Sequence, residues 1–246
     1  MKFAVVLALA LSLGFAVFFG NNLLMPLWLQ TQMGYVATWA GLVAAPSGVV
    51  AVILTPFVAR LVSGIDARWI ATMALGAFAL SFFLRSDYAP DADFFELVIP
   101  MLVMGLGMSG FFISMVTICL SGVSPDQIPQ ASGLTNFARI TAGSFAASLT
   151  TTYWDRGAAL HQTRLAEATG SPGNPVWRDA MRALQEHGAS VEQAFAVLAH
   201  QVTHQAYFLA TVDLFRISAW ITAALIPIVW LTRPAVNQGG AHAASE

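Results

Sequence analysis

Two histidines four residues apart, His200 and His204 in HQVTH, share one helical face, the spacing with which an HExxH helix holds zinc. Gln201 stands where the general-base glutamate belongs, so the stretch reads as a solvated helix face. Asp213 and Arg216 in YFLATVDLFRISAW are three residues apart, close enough to pair on one face. A structural ion pair and a proton-responsive carboxylate are both open there. The third group is Asn136 and Arg139 in ASGLTNFARITAGSFAASLTTTYW, where Arg139 is the single fixed charge of a long helix. It lies about nine residues from the helix start, or about 13 Å at 1.5 Å per residue. A charge at that depth in lipid costs at least about 2.5 kcal/mol, so it snorkels, faces the interior or meets an aqueous cavity. Arg139 is read either as part of a path or gate or as purely structural.

No nucleophile–base pair, metal cluster or phosphate loop accompanies these residues, so enzyme chemistry, a cofactor and a metal site are not expected. The single cysteine, Cys119, permits no disulfide framework. The formal net charge of -2 argues against a nucleic-acid partner.

The residues that must position these groups are mostly apolar. The 246-residue chain is 57% hydrophobic and only 10% charged, with mean hydropathy +0.67. Soluble domains carry roughly 25% charged residues, so lipid is the natural solvent. Runs near the length of about 20 residues that spans a bilayer core occur at Ala4–Leu29, Trp39–Ala59, Trp69–Leu84, Leu97–Leu120, Gln130–Trp154 and Tyr207–Leu231. The fifth is the least hydrophobic. Nothing alternates with period two, so the expected fold is an all-α membrane protein with six transmembrane helices. The opening MKFAVVLALALSLGFAVFFG has features of a signal peptide, but its apolar run continues through Leu29, which favours a spanning helix.

Lys2, Arg60, Arg68 and Arg233 fall on one side of such a bundle, while the short loop RSDYAPDADFFE sets Arg85 against Asp87, Asp91, Asp93 and Glu96. The positive-inside bias then puts both termini in the cytoplasm of a multi-pass inner-membrane protein. Residues 1–232 form one bundle, with an external loop at 155–205. Within that loop, Asn174-Pro175 is a helix start, His187-Gly188 a stop and Ser190 to Gln193 a capping box. Trp177 and Phe195 are expected to cap the outer mouth or rest at headgroup level. Residues 233–246 are Gly/Ala-rich and expected to be disordered.

Small residues mark the packing faces. Gly107, Gly110, Ser114, Thr117 and Ser121 form a stripe on the fourth run, and Ser132, Asn136, Arg139, Gly143, Ala146 and Thr150 form a matching face on the fifth. Such stripes let helices approach closely in lipid. Pro46 and Pro56 each remove a backbone hydrogen bond and shape the second helix to bend. Asn21 and Asn22 either line a cavity or hydrogen-bond a neighbouring helix.

ATWAGLVAAPSGVVAVILTPFVAR and TICLSGVSPDQIPQASGLTNFARITAGSFAASLTTTYWDR together resemble the EmrB/QacA-type multidrug exporters. These are the fourteen-helix drug:proton antiporters of the major facilitator superfamily. The shared order of Pro46, Pro56, Pro125, Asn136, Arg139 and Gly143 carries the likeness. It implies the C-terminal half of an exporter of hydrophobic or amphipathic compounds, driven by protons through alternating access. It also implies a missing N-terminal half and, in a Gram-negative cell, a membrane-fusion adaptor and an outer-membrane channel. The family's antiporter motif and main proton-coupling acids belong to that other half. The competing expectation is a truncated, non-transporting membrane remnant with an assembly or regulatory role.

Overall fold

The computed structural model describes residues 2–120, 124–169 and 174–231, and among them no strand occurs. Helix α1 spans Lys2–Thr31, α2 Ala37–Gly64, α3 Ala67–Ser86 and α4 Phe94–Leu120. A 3-10 turn at Pro125–Gln127 leads into α5, Ile128–Thr169; α6 spans Pro175–Glu186 and α7 Val191–Trp230. The links follow from local chemistry. Gly34 takes φ +70°, which a side chain rarely tolerates, between α1 and α2. Asp66 caps α3 by accepting from the Arg68 N–H at 3.1 Å.

Among the described residues five helices, α1 to α4 and α7, are long and apolar enough to cross a membrane. Helix α5 falls short in apolarity because Gln130, Asn136, Arg139 and a polar second half dilute it. It is also much longer than expected. The helix passes Trp154 without a break and runs 42 residues, about 63 Å. Helix α7 likewise begins at Val191 instead of Tyr207. Most of 155–205 is therefore the continuation of two long helices, since nothing in those stretches interrupts the backbone hydrogen bonds. Only α6 is a separate short helix. Its local signals are realised: Asn174 accepts from the Val176 N–H at 3.0 Å, Gly188 takes φ +90°, and Ser190 and Gln193 close a reciprocal capping box. The tail 233–246 lies outside the described residues.

Helix α3 packs on α4 and α7, α2 on α4, and α5 on α1 and α7. The two small-residue stripes serve different neighbours. A Cβ at Gly107 would stand 2.8 Å from the Ala74 carbonyl oxygen, and one at Gly110 would stand 3.2 Å from Ile70 Cγ2, both on α3. On α5, a Cβ at Gly143 would stand 3.3 Å from Phe15 Cε1 on α1. Two glycines outside those stripes are also crowded. A Cβ at Gly105 would meet the Ser47 carbonyl oxygen at 2.6 Å, and one at Gly20 would fall on the Thr150 hydroxyl.

One core cluster, around Trp28, Tyr88, Leu97, Met101 and Phe215, lies toward α6. A second, around Phe18, Phe78, Phe82, Phe111 and Met115, lies toward the opposite end. The outer surface is apolar too: Val52, Met73 and Phe95 are each about three-quarters exposed. Lipid, not water, suits that surface.

Candidate functional site

Arg139 and Asn136 come together as their spacing requires. The Arg139 Nη2 donates to Asn136 Oδ1 at 2.7 Å, one helical turn away. The guanidinium carbon lies 5.6 Å from the Phe15 ring centroid and 5.9 Å from that of Phe112, so the cation rests between aromatic rings of α1 and α4. Among the described residues it forms no ion pair with a carboxylate. Beside it a cleft of about 160 Å³ opens between α1, α4 and α5, walled by Phe15, Phe111, Phe112, Met115 and Leu134. Among the described residues no acid lines it, and Arg139 is the one charged wall residue. An apolar cleft with a single fixed cation can take an amphipathic molecule and orient it by one polar group.

The other sequence candidates stand apart from this cleft. Asn21 is buried in the bundle and donates to the Val17 carbonyl at 2.8 Å and to Ser218 Oγ on α7 at 2.9 Å. Among the described residues its Oδ1 has no hydrogen-bond partner. Asn22 points outward, exposed, and donates to the Phe18 carbonyl at 3.0 Å. Pro46 and Pro56 both lie within α2.

Asp213 does not pair with Arg216. Its Oδ2 lies 2.8 Å from His161 Nε2 on α5, while Arg216 is exposed. Side chains lean toward the N-terminus of their own helix, so on two antiparallel helices His161 and Asp213 lean toward each other. Spacing within α7 could not reveal that partner. His204, half of the HQVTH pair, is bonded through Nε2 to the Gln32 carbonyl oxygen at the end of α1, and His200 is exposed. Trp177 of α6 packs edge-on against Phe195 of α7, with ring centroids 5.9 Å apart.

Arg85, counted in sequence as a loop charge, is in the last turn of α3 and 1% exposed. Its Nη2 points at Met101 Sδ, 3.2 Å away, and its guanidinium lies against Phe82 and Phe215. Among the described residues the Nε has no hydrogen-bond partner, and neither does the buried Trp28 Nε1. Tyr88, stacked on Trp28, donates to the Leu97 carbonyl at 3.2 Å. Burial pushes its hydroxyl up to about 12, with Arg85 pulling the other way.

Residues 2–147 match the Major Facilitator Superfamily. The chain belongs to that superfamily. It is 36% identical over 233 residues to the fatty acid resistance protein FarB of Neisseria gonorrhoeae, covering 95% of this chain and 46% of that protein. It is 35% identical over 233 residues to the multidrug export protein EmrB of Escherichia coli K12, covering 94% of this chain and 45% of that one. The colistin resistance protein EmrB of Acinetobacter baumannii is 23% identical over 208 residues, covering 82% of this chain and 40% of that protein. The superfamily chain thus spans less than half the length of these relatives. Its Arg139 cleft falls within the matched 2–147 region, whereas Asp213 lies beyond it.

Proposed function

We propose that the chain is the six-helix C-terminal half of a proton-driven exporter of hydrophobic or amphipathic compounds, with α5 as the sixth span. The Arg139–Asn136 cleft carries this reading. Its apolar walls and single cation suit an amphipathic guest, and the α5 residues before Gly143 are not buried by this chain. That uncovered stretch is where an N-terminal half would close the other wall, with alternating access following from rocking of the halves. The multidrug export, fatty acid resistance and colistin resistance named in the relatives support the substrate class. Both termini then lie in the cytoplasm, and α6 with the extended ends of α5 and α7 stands in the periplasm. There a membrane-fusion adaptor and an outer-membrane channel would complete the pump.

Drug accumulation in an efflux-deficient host tests the proposal, with the chain alone and with a matching N-terminal half supplied in trans. Export is expected only with both, and Arg139→Ala should reduce it at unchanged membrane abundance. Proton-dependent export by the chain alone would overturn the half-transporter reading. No export with either arrangement would favour the non-transporting remnant. Topology has its own test: single cysteines at Glu186 and Ile65, in a Cys119→Ser background, probed with an impermeant maleimide in intact cells. Labelling at Ile65 without labelling at Glu186 would reverse the orientation.

A further inference from the structure

We infer that His161 and Asp213 form a proton-binding site that clamps α5 to α7. The two residues are 52 apart in sequence, and their Nε2–Oδ2 contact of 2.8 Å joins the helices directly. Their side chains are 18% and 45% exposed, so the pair is partly open at the surface of the bundle. Neither residue touches the Arg139 cleft, which is 22 residues away along α5, about 33 Å. The site therefore stands whether or not the chain exports anything.

The surrounding charges leave the pair to itself. On α5, Asp155 accepts from the Tyr207 hydroxyl at 3.4 Å, and Arg156 and Arg164 are exposed. On α7, His204 is held by the Gln32 carbonyl, while His200 and Arg216 face outward. From α3, Arg85 is enclosed by Phe82, Phe215 and Met101, with Tyr88 beyond it bonded to Leu97. The charged groups of α6 are exposed, with Arg182 lying 3.7 Å from Asp179. From Phe3 to Thr31, helix α1 carries no titratable side chain. The imidazole is thus the polar partner of the Asp213 carboxylate.

Imidazole is the side chain that ordinarily changes charge between pH 5 and 8. A proton taken from water onto the imidazole makes the contact an ion pair. Its return to water leaves at most one weaker hydrogen bond. The contact sits in a stretch where α5 and α7 approach closely. One turn away a Cβ at Gly157 would lie 3.3 Å from Ala210 Cβ, and Trp154 Nε1 donates to Thr211 Oγ1 at 2.8 Å. The helices are pressed together at the level of the proton site.

The test uses the chain in lipid nanodiscs, with spin labels at the exposed positions Glu167 on α5 and Val197 on α7 in a Cys119→Ser background. Distance distributions frozen from about pH 5.5 and about pH 8 are compared. A longer or broader distribution at the higher pH is expected, with that difference lost in both His161→Gln and Asp213→Asn and kept in His204→Gln. Circular dichroism of each variant verifies that it is folded, and the unsubstituted chain decides the matter if one is not. A distribution unchanged across this range, or a pH difference that survives in folded His161→Gln, would overturn the proposal.

Discussion

Arg85 points its Nη2 at the sulfur of Met101, 3.2 Å away, although Asp87, Asp91, Asp93 and Glu96 follow it closely and are all exposed. The helix carries Arg85 inward while the chain beyond it turns out to water. The result is a buried cation met by two rings and a thioether but by no carboxylate among the described residues, an arrangement that costs stability unless something compensates it.

Arg85→Met should therefore hold or raise the thermal stability of the chain, because it removes the uncompensated charge and keeps most of the volume. Arg85→Ala should lower it by about 2 kcal/mol or more, because the cavity against Phe82 and Phe215 stays empty. Thermal unfolding in nanodiscs separates the two. A large loss in Arg85→Met would mean that an unseen acceptor holds the guanidinium.

Glycine positions divide sharply by what surrounds them. Gly105→Ala puts a Cβ 2.6 Å from a backbone oxygen that cannot swing away, so α2 and α4 must separate. The expected loss is about 2 kcal/mol. Gly48→Ala meets nothing within 4 Å and should stabilise α2 by about 0.5–1 kcal/mol. Equal effects at both sites would contradict the helix contact.

Arg139→Lys keeps the charge but loses the planar group that bonds Asn136 and faces Phe15 and Phe112. In the complete transporter its efflux should fall toward that of Arg139→Ala at normal abundance. Full activity in the lysine variant would reduce the role of Arg139 to charge alone.

Tyr88 gives the chain an alkaline limit. Its hydroxyl is raised to about 12 in the fold against about 10 for a free phenol. The neutral form is thus favoured by folding, and stability is full below about pH 10 and falls as pH rises toward 12. Tyr88→Phe should lose about 1 kcal/mol at neutral pH, with its bond to Leu97 gone, and should then decline less between pH 10 and 12. Parallel decline of both proteins over that range, measured by chemical denaturation, would rule Tyr88 out as the cause.

Local signals were legible in the sequence and distant ones were not. Asn174-Pro175, Gly188 and the Ser190–Gln193 box could be read because each acts within a turn of itself. Asn136 and Arg139 meet for the same reason. His161 could not be matched to Asp213, because that choice depends on how α5 and α7 align over 52 residues. The i,i+3 spacing of Arg216 offered a nearer partner that the packing turns outward. Arg85 was misplaced by the charge count, which sees a basic residue beside four acids but not the helix end that separates them. The overrun of α5 past Trp154 was hidden for a different reason: polarity signals an exit from lipid, not the end of a helix.

Helix α5 is held unevenly. Its buried residues are Gly143, Ala146, Trp154 and Ala158, and none comes earlier along the helix. In mechanical terms it is a cantilever, clamped along its middle and free over about 22 Å at the end that carries Arg139. A tilt of about 5° at the clamp moves the Ile128 end by about 2 Å but Arg139, only four residues from Gly143, by about 0.5 Å. The start of the helix can thus swing against a second half while the cation, close to the clamp, keeps its aromatic seat.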